Sequence, residues 1–167
     1  MRAYLIREFG GPVKWGRLVS DVFNTAKRRA IMRAVKTART EPEQRLALGL
    51  RALGFRFGRN SPSVFGRPDF TFPRLRVAVF VDGDFWHGRA WFEKAAAPST
   101  NARFWIEKFE RNRRRDRLVD RTLRRAGWSV LRMWASDVRS SPTECVSRVH
   151  TCLRRRARSV ARKTGTR

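Results

Sequence analysis

Asp69 follows Pro68 at the head of one apolar stretch, Asp82 closes the next, and His87 stands five positions further on in the segment Asp82-Gly83-Asp84-Phe85-Trp86-His87-Gly88. Two converging carboxylates suit a hard divalent cation such as Mg²⁺, which takes oxygen ligands and neutralises charge at a phosphoryl centre. A histidine, whose pKa lies near neutrality, suits proton transfer beside it. Convergence depends on register. If Pro73-Arg74-Leu75-Arg76 is the turn of a hairpin, 72 pairs with 77 and 69 with 80, and Asp82 shares the face of residue 80. A slip of one residue would send the acids to opposite faces. Plainer roles also fit: Asp69 capping a turn after Pro68, Asp82 in an Asp-Gly turn, and His87 solvated in a loop.

These acids stand out against their background. The chain has 167 residues with 39 Lys+Arg against 14 Asp+Glu, a net charge of +25. The bases are mostly Arg, whose planar donor fork matches phosphate oxygens, so the excess points to nucleic acid. DNA repels carboxylates, so acids retained in such a chain need a reason. Hydrophobic residues make up 41%, with six Trp and twelve Phe, too much apolar side chain for a disordered polypeptide. One core fits this length. Cys145 and Cys152 are seven positions apart on one predicted helix, beyond disulfide reach, and imply reduced thiols in the cytoplasm. No apolar run is long enough to span a membrane, and no signal-peptide core precedes the folded region.

The elements that must position these residues follow from periodicity. Residues 1–20 read as a loose extension, and 24–38 as a basic amphipathic helix with Met32 and Val35 on its apolar side. A second helix starts after Thr40, with Pro42 in its first turn, and ends at Gly54. Strands are expected over 69–72 and 77–82, the latter apolar throughout and so central in the sheet. A long basic helix follows over about 101–126, then a strand over 128–134 and a closing helix from Pro142 to about Arg156. Residues 154–167 read as a solvated basic tail, which leaves 21–153 as one domain. This order gives an α/β fold with a central mixed β-sheet flanked by helices.

The stretches MRAVKTARTEPEQRL (32–46), GRPDF (66–70), VAVFVDGDFWHG (77–88), FWIEKFERNRRRD (104–116) and GWSVLRMW (127–134) resemble, in this order, the very-short-patch repair (Vsr) endonucleases. That resemblance implies a restriction-endonuclease-like core of the PD-(D/E)xK type. It further implies that Asp69 and the backbone carbonyl of Val81 hold Mg²⁺, and that His87 is a general acid/base oriented by Asp116. Glu43 then stands beside the metal. Where the family's best-studied members carry a second histidine, this chain has Asp82, which is accordingly expected to touch the cation directly or through water. Asp84 and Arg89 replace thiol and histidine ligands, so no structural zinc is expected.

The resemblance also assigns the DNA contacts. Phe85, Trp86 and Trp105 look like a wedge entering from the major-groove side, with Met32 and Val35 inserting from the minor groove. Lys108, Asn112 and Arg113 are expected on phosphates. Packing would account equally for Trp105, and a surface ion pair for Asp116. The implied activity is Mg²⁺-dependent nicking of one strand at a T:G mismatch left by deamination of 5-methylcytosine. A monomeric bacterial enzyme acting on the nucleoid is expected, with mismatch-repair proteins as further partners. Two alternatives stand beside it: a related endonuclease indifferent to mismatches, and a non-catalytic DNA-binding protein.

Overall fold

A computed structural model describes residues 39–94 and 102–164. The extension over 1–20 and the basic helix over 24–38, with Met32 and Val35, lie outside the described residues.

Helix α1 (Glu41–Ala52) opens where Thr40 takes an extended backbone and Pro42 presets the first turn. The Glu43 carboxylate reaches back to the Thr40 N–H at 3.2 Å and its hydroxyl at 2.7 Å, closing a helix end that otherwise leaves its donors unpaired. Strand β1 (Gly58–Arg59), β2 (Phe70–Phe72), β3 (Val77–Asp82) and β4 (Ser129–Trp134) form one sheet in that order. The pairs β1–β2 and β2–β3 are antiparallel, and β3–β4 is parallel. Phe72 pairs with Val77 and Phe70 with Val79, the register anticipated from the length of the turn. That turn, a short 3-10 stretch over Pro73–Leu75, ends with Arg76 in the left-handed region (φ 50°).

Period-two alternation divides β3 between two layers. Val77 and Val79 face α1 and the closing helix together with Leu46, Leu50, Phe70, Val149 and Leu153. Ala78 and Phe80 face the opposite layer with Val64, Val119 and Leu123. That layer is helix α3 (Ala102–Arg125), preceded by the short helix α2 (Arg89–Lys94). The sheet is therefore mixed and covered by helices on both faces, as the order of elements implied.

After β4 come α4 (Ala135–Ser140) and α5 (Pro142–Thr164). The closing helix runs beyond the end expected near Arg156, because Arg, Ala, Ser, Val and Lys from 157 to 163 include no Gly or Pro to stop it. What was read as a solvated tail is helical through Thr164. Among the described residues no helix is long and apolar enough to cross a membrane.

Candidate active site

Two strand ends and a helix start meet at a pocket of ≈ 810 Å³, whose walls include Glu43, Asp69, Val81, Trp86 and His87. Asp69 sits one residue before β2, where the β2–β3 ladder would need another rung. Its Oδ2 supplies that rung by accepting from the Val81 N–H at 2.7 Å. Burial pushes the Asp69 carboxyl up to about 6, against the Val81 hydrogen bond, and the charges of Glu43 and Asp82 push the same way. Among the described residues no Lys or Arg forms an ion pair with Asp69. A buried carboxylate crowded by acids is an arrangement that a divalent cation can compensate. No group of three or more His, Cys, Asp and Glu suited to a metal occurs among the described residues.

Glu43 stands on the same wall but is occupied locally. Its oxygens accept from the N–H groups of Arg39 and Thr40 and from the Thr40 hydroxyl, and Arg59 Nη2 lies 3.5 Å away.

His87 is fixed from α3. Its Nδ1 lies 2.7 Å from Asp116 Oδ2. Burial alone would raise the Asp116 carboxyl, but the His87 hydrogen bond and the charges of His87, Arg132 and Arg115 bring it below the ordinary carboxylate range. Asp116 is therefore an anionic acceptor, and the His87 Nδ1–H donates to it. The acid sits there because Trp105, Phe109, Asn112, Asp116, Val119 and Leu123 recur every three or four residues along one face of α3. The apolar ends of that stripe pack down, and its polar middle meets the loop after β3.

Asp82, the acid expected to touch the cation, has Arg132 and His87 as neighbours. Even-numbered positions of β3 face α3, so its carboxylate turns there: Oδ1 lies 2.7 Å from Arg132 Nη1 and 3.8 Å from His87 Nε2. Burial raises the Asp82 carboxyl despite the opposing charges of Arg132 and His87. Arg132 itself, from β4, was missed in the sequence. Its Nη2 is 3.3 Å from Asp116, its Nε 3.0 Å from Asp120, and its guanidinium lies over the Phe80 ring at 4.4 Å. The available signal was a single charged residue in that strand, between Leu131 and Met133.

The aromatic loop is half committed to packing. Phe85 is 50% exposed, whereas Trp105 is 8% and Phe109 3% exposed. Phe85 stands edge-on to Trp105 and Phe109, with ring centroids 4.8 and 5.9 Å away, so the two buried rings form a platform beneath it. Lys108 and Asn112, expected on phosphates, have internal contacts: the ammonium lies over Trp86 and Trp105 at 5.0 and 5.1 Å, and the amide donates to the Trp86 carbonyl at 2.6 Å. Arg113 stacks over Phe92 at 4.4 Å. The loop approaches α3 so closely that a Cβ on Gly88 (φ +64°) would lie 2.7 Å from the Phe109 ring.

On both sides of His87 the chain is anchored to α4. Asp84 accepts from the Ser136 N–H at 3.0 Å and from the Ser136 hydroxyl, while Arg89 Nη1 reaches Asp137 at 2.6 Å and Nε reaches Glu93 at 2.9 Å.

Comparison with known proteins identifies the family. The family model described as DNA mismatch endonuclease Vsr matches residues 20–93. A type II nicking enzyme of Neisseria meningitidis serogroup C is 45% identical over 134 residues, covering 80% of this chain and 90% of that protein. A type II nicking enzyme of Haemophilus parainfluenzae is 41% identical over 73% of this chain and 87% of its own length. The DNA mismatch endonuclease Vsr of Escherichia coli K12 is 37% identical over 72% of this chain and 77% of its own. With the pocket, the His87–Asp116 pair and these likenesses together, the chain belongs to the Vsr family of DNA endonucleases.

Proposed function

We propose that this endonuclease hydrolyses one phosphodiester of duplex DNA beside a T:G mismatch, with Mg²⁺ as cofactor. The observation that carries the reading is the imidazole of His87, held by Asp116 at 2.7 Å, on the rim of the pocket that contains Asp69. Asp69 and the Val81 carbonyl are the groups that would hold Mg²⁺. Bound there, the ion would neutralise charge developing on the phosphoryl oxygens and lower the pKa of a water at the site.

The remaining work belongs to the chain's own residues. Because Nδ1 donates to Asp116, Nε2 is the nitrogen available to exchange a proton with the scissile phosphate or its leaving oxygen. Asp116 also stabilises the imidazolium formed when Nε2 takes a proton, the role of the buried aspartate in Ser-His-Asp triads. The hydrogen bonds of Glu43 keep the start of α1 closed against the pocket. Phe85 projects from its aromatic platform as the group that enters the base stack. A wedge costs a few kcal/mol of unstacking per step, least where pairing is already weak, so a mismatch is preferred through its deformability. The name of the Escherichia coli relative, and the nicking activity in the names of the others, support this substrate and outcome.

An end-labelled T:G duplex and its matched counterpart, each with and without Mg²⁺, test the reading on wild type, Asp69→Ala and His87→Ala. Mg²⁺-dependent nicking confined to the T:G duplex, lost in both variants with binding retained, is the expected result. Equal nicking of the matched duplex removes the mismatch requirement. Binding without nicking by the wild type would leave only a DNA-gripping protein.

A further inference from the structure

His87, Asp116, Arg132 and Asp82 form a chain of contacts whose two ends, Asp82 and His87 Nε2, stand 3.8 Å apart. Asp116 accepts from His87 Nδ1–H with one oxygen and faces Arg132 Nη2 with the other at 3.3 Å. Asp82 Oδ1 sits 2.7 Å from Arg132 Nη1 and 3.8 Å from His87 Nε2. That last separation is just beyond hydrogen-bond length. The nitrogen facing the reaction therefore has a carboxylate beside it that does not close on it. All four side chains are largely buried, with exposures of 13–21%, so water does little to weaken the competition between Arg132 and His87 for Asp82.

Arg132 settles that competition. Its planar fork meets three carboxylates at once, Asp82, Asp116 and Asp120, and it lies against the Phe80 ring. A lysine ammonium is a point charge on a flexible stem and cannot reproduce this geometry. Parallel pairing sets Phe80 opposite Arg132, so β4 itself delivers the guanidinium between Asp82 and α3.

We propose that Arg132 is a positioning residue for strand cleavage, which holds the Asp82 carboxylate off His87 Nε2 and aligns Asp116 on Nδ1, so that Nε2 stays open to the substrate. The inference rests on the assignment of His87 as the acid/base. Without the clamp, Asp82 moves the remaining distance and accepts from Nε2 once that nitrogen takes a proton from solvent, which removes the lone pair offered to the substrate.

The test uses Arg132→Lys, which keeps the local charge, and the pair Arg132→Met and Arg132→Met/Asp82→Asn, with thermal melts confirming that each variant is folded. Single-turnover nicking of the T:G duplex at saturating Arg132→Lys falls about tenfold while the DNA Kd stays within about twofold, a loss in kcat and not in KM. Removing Asp82 in the Arg132→Met background restores at least about fivefold, since the carboxylate that captures Nε2 is gone. A purely structural role would not give that rescue.

A second readout needs no substrate. The long-range nitrogen spectrum of the His87 imidazole, assigned by comparison with His87→Ala in a chain with two histidines, shows the Nε2 resonance displaced in Arg132→Lys and returned in the double variant. Wild-type kcat in Arg132→Lys, a loss confined to Kd, or an Nε2 resonance indifferent to Arg132 each overturns the inference. If His87→Ala nicks like wild type, the acid/base assignment fails, and the imidazole spectrum still decides whether Arg132 restrains Asp82.

Discussion

Replacing Asp116 by Asn exchanges one oxygen for an NH₂ group in a side chain whose two oxygens face different donors. Oδ2 accepts from His87 Nδ1 at 2.7 Å, and Oδ1 faces Arg132 Nη2 at 3.3 Å. An asparagine carbonyl turned to His87 puts its NH₂ against the guanidinium, donor against donor. The opposite rotamer puts the NH₂ against Nδ1, which must then give up its proton to Nε2, and the base is lost. Either way the charged acceptor is gone. Hydrogen bonds to charged groups contribute about 1.5–3 kcal/mol, which corresponds to about 10- to 150-fold in rate. The fold should persist, because Arg132 keeps Asp82 and Asp120 as partners. Single-turnover nicking of an end-labelled T:G duplex with enzyme in excess reads the chemical step, and a parallel titration reads affinity. The expected result is a fall in rate within that range at unchanged affinity. A rate within about threefold of wild type would refute the claim that Asp116 sets the tautomer and charge of His87.

Gly88→Ala forces a Cβ against the buried Phe109 ring at a left-handed backbone position, so a loss of about 2 kcal/mol in urea unfolding is expected together with lost nicking. Glu43→Gln places an NH₂ group among donors from Arg39, Thr40 and Arg59. It should lower stability by about 1 kcal/mol, and if Glu43 is only a helix cap, nicking below the melting range should survive. Leu46→Ala empties a site that is 0% exposed in the main core, costing about 3 kcal/mol and lowering Tm by roughly 6–12 °C, measured by calorimetry.

The parts legible in the sequence were those fixed by short-range rules. The hairpin register followed from the length of the 73–76 turn, and the central position of β3 from its unbroken apolar run. The partnership of Asp116 with His87 joins residues 29 positions apart. Periodicity could place Asp116 on a helix but not say what that helix faced, and only the motif resemblance supplied the partner. The acidity of Asp82 was visible in the sequence, whereas its pairing with an arginine 50 positions later was not. Lys108 and Asn112 were expected on phosphates. An amide or ammonium three residues from a buried aromatic on one helix face also finds a partner within the fold, as both do here.

The division of β3 explains why so many acids coexist with a net charge of +25. Its odd side carries aliphatic packing to α1 and α5, whereas its even side ends in Asp82 and meets the acids of α3. The arginines at 111, 114, 115, 117, 121, 124 and 125 of α3 are exposed, while Asp116 and Asp120 on the inner side are largely covered. Exposed cations attract phosphate at long range and are screened by salt. Acids held under a protein layer interact at short range, with Arg132 and His87 first. One helix can thus attract a polyanion with its outer face and keep carboxylates beside the pocket with its inner one, because burial, and not distance along the chain, decides which charges the DNA meets.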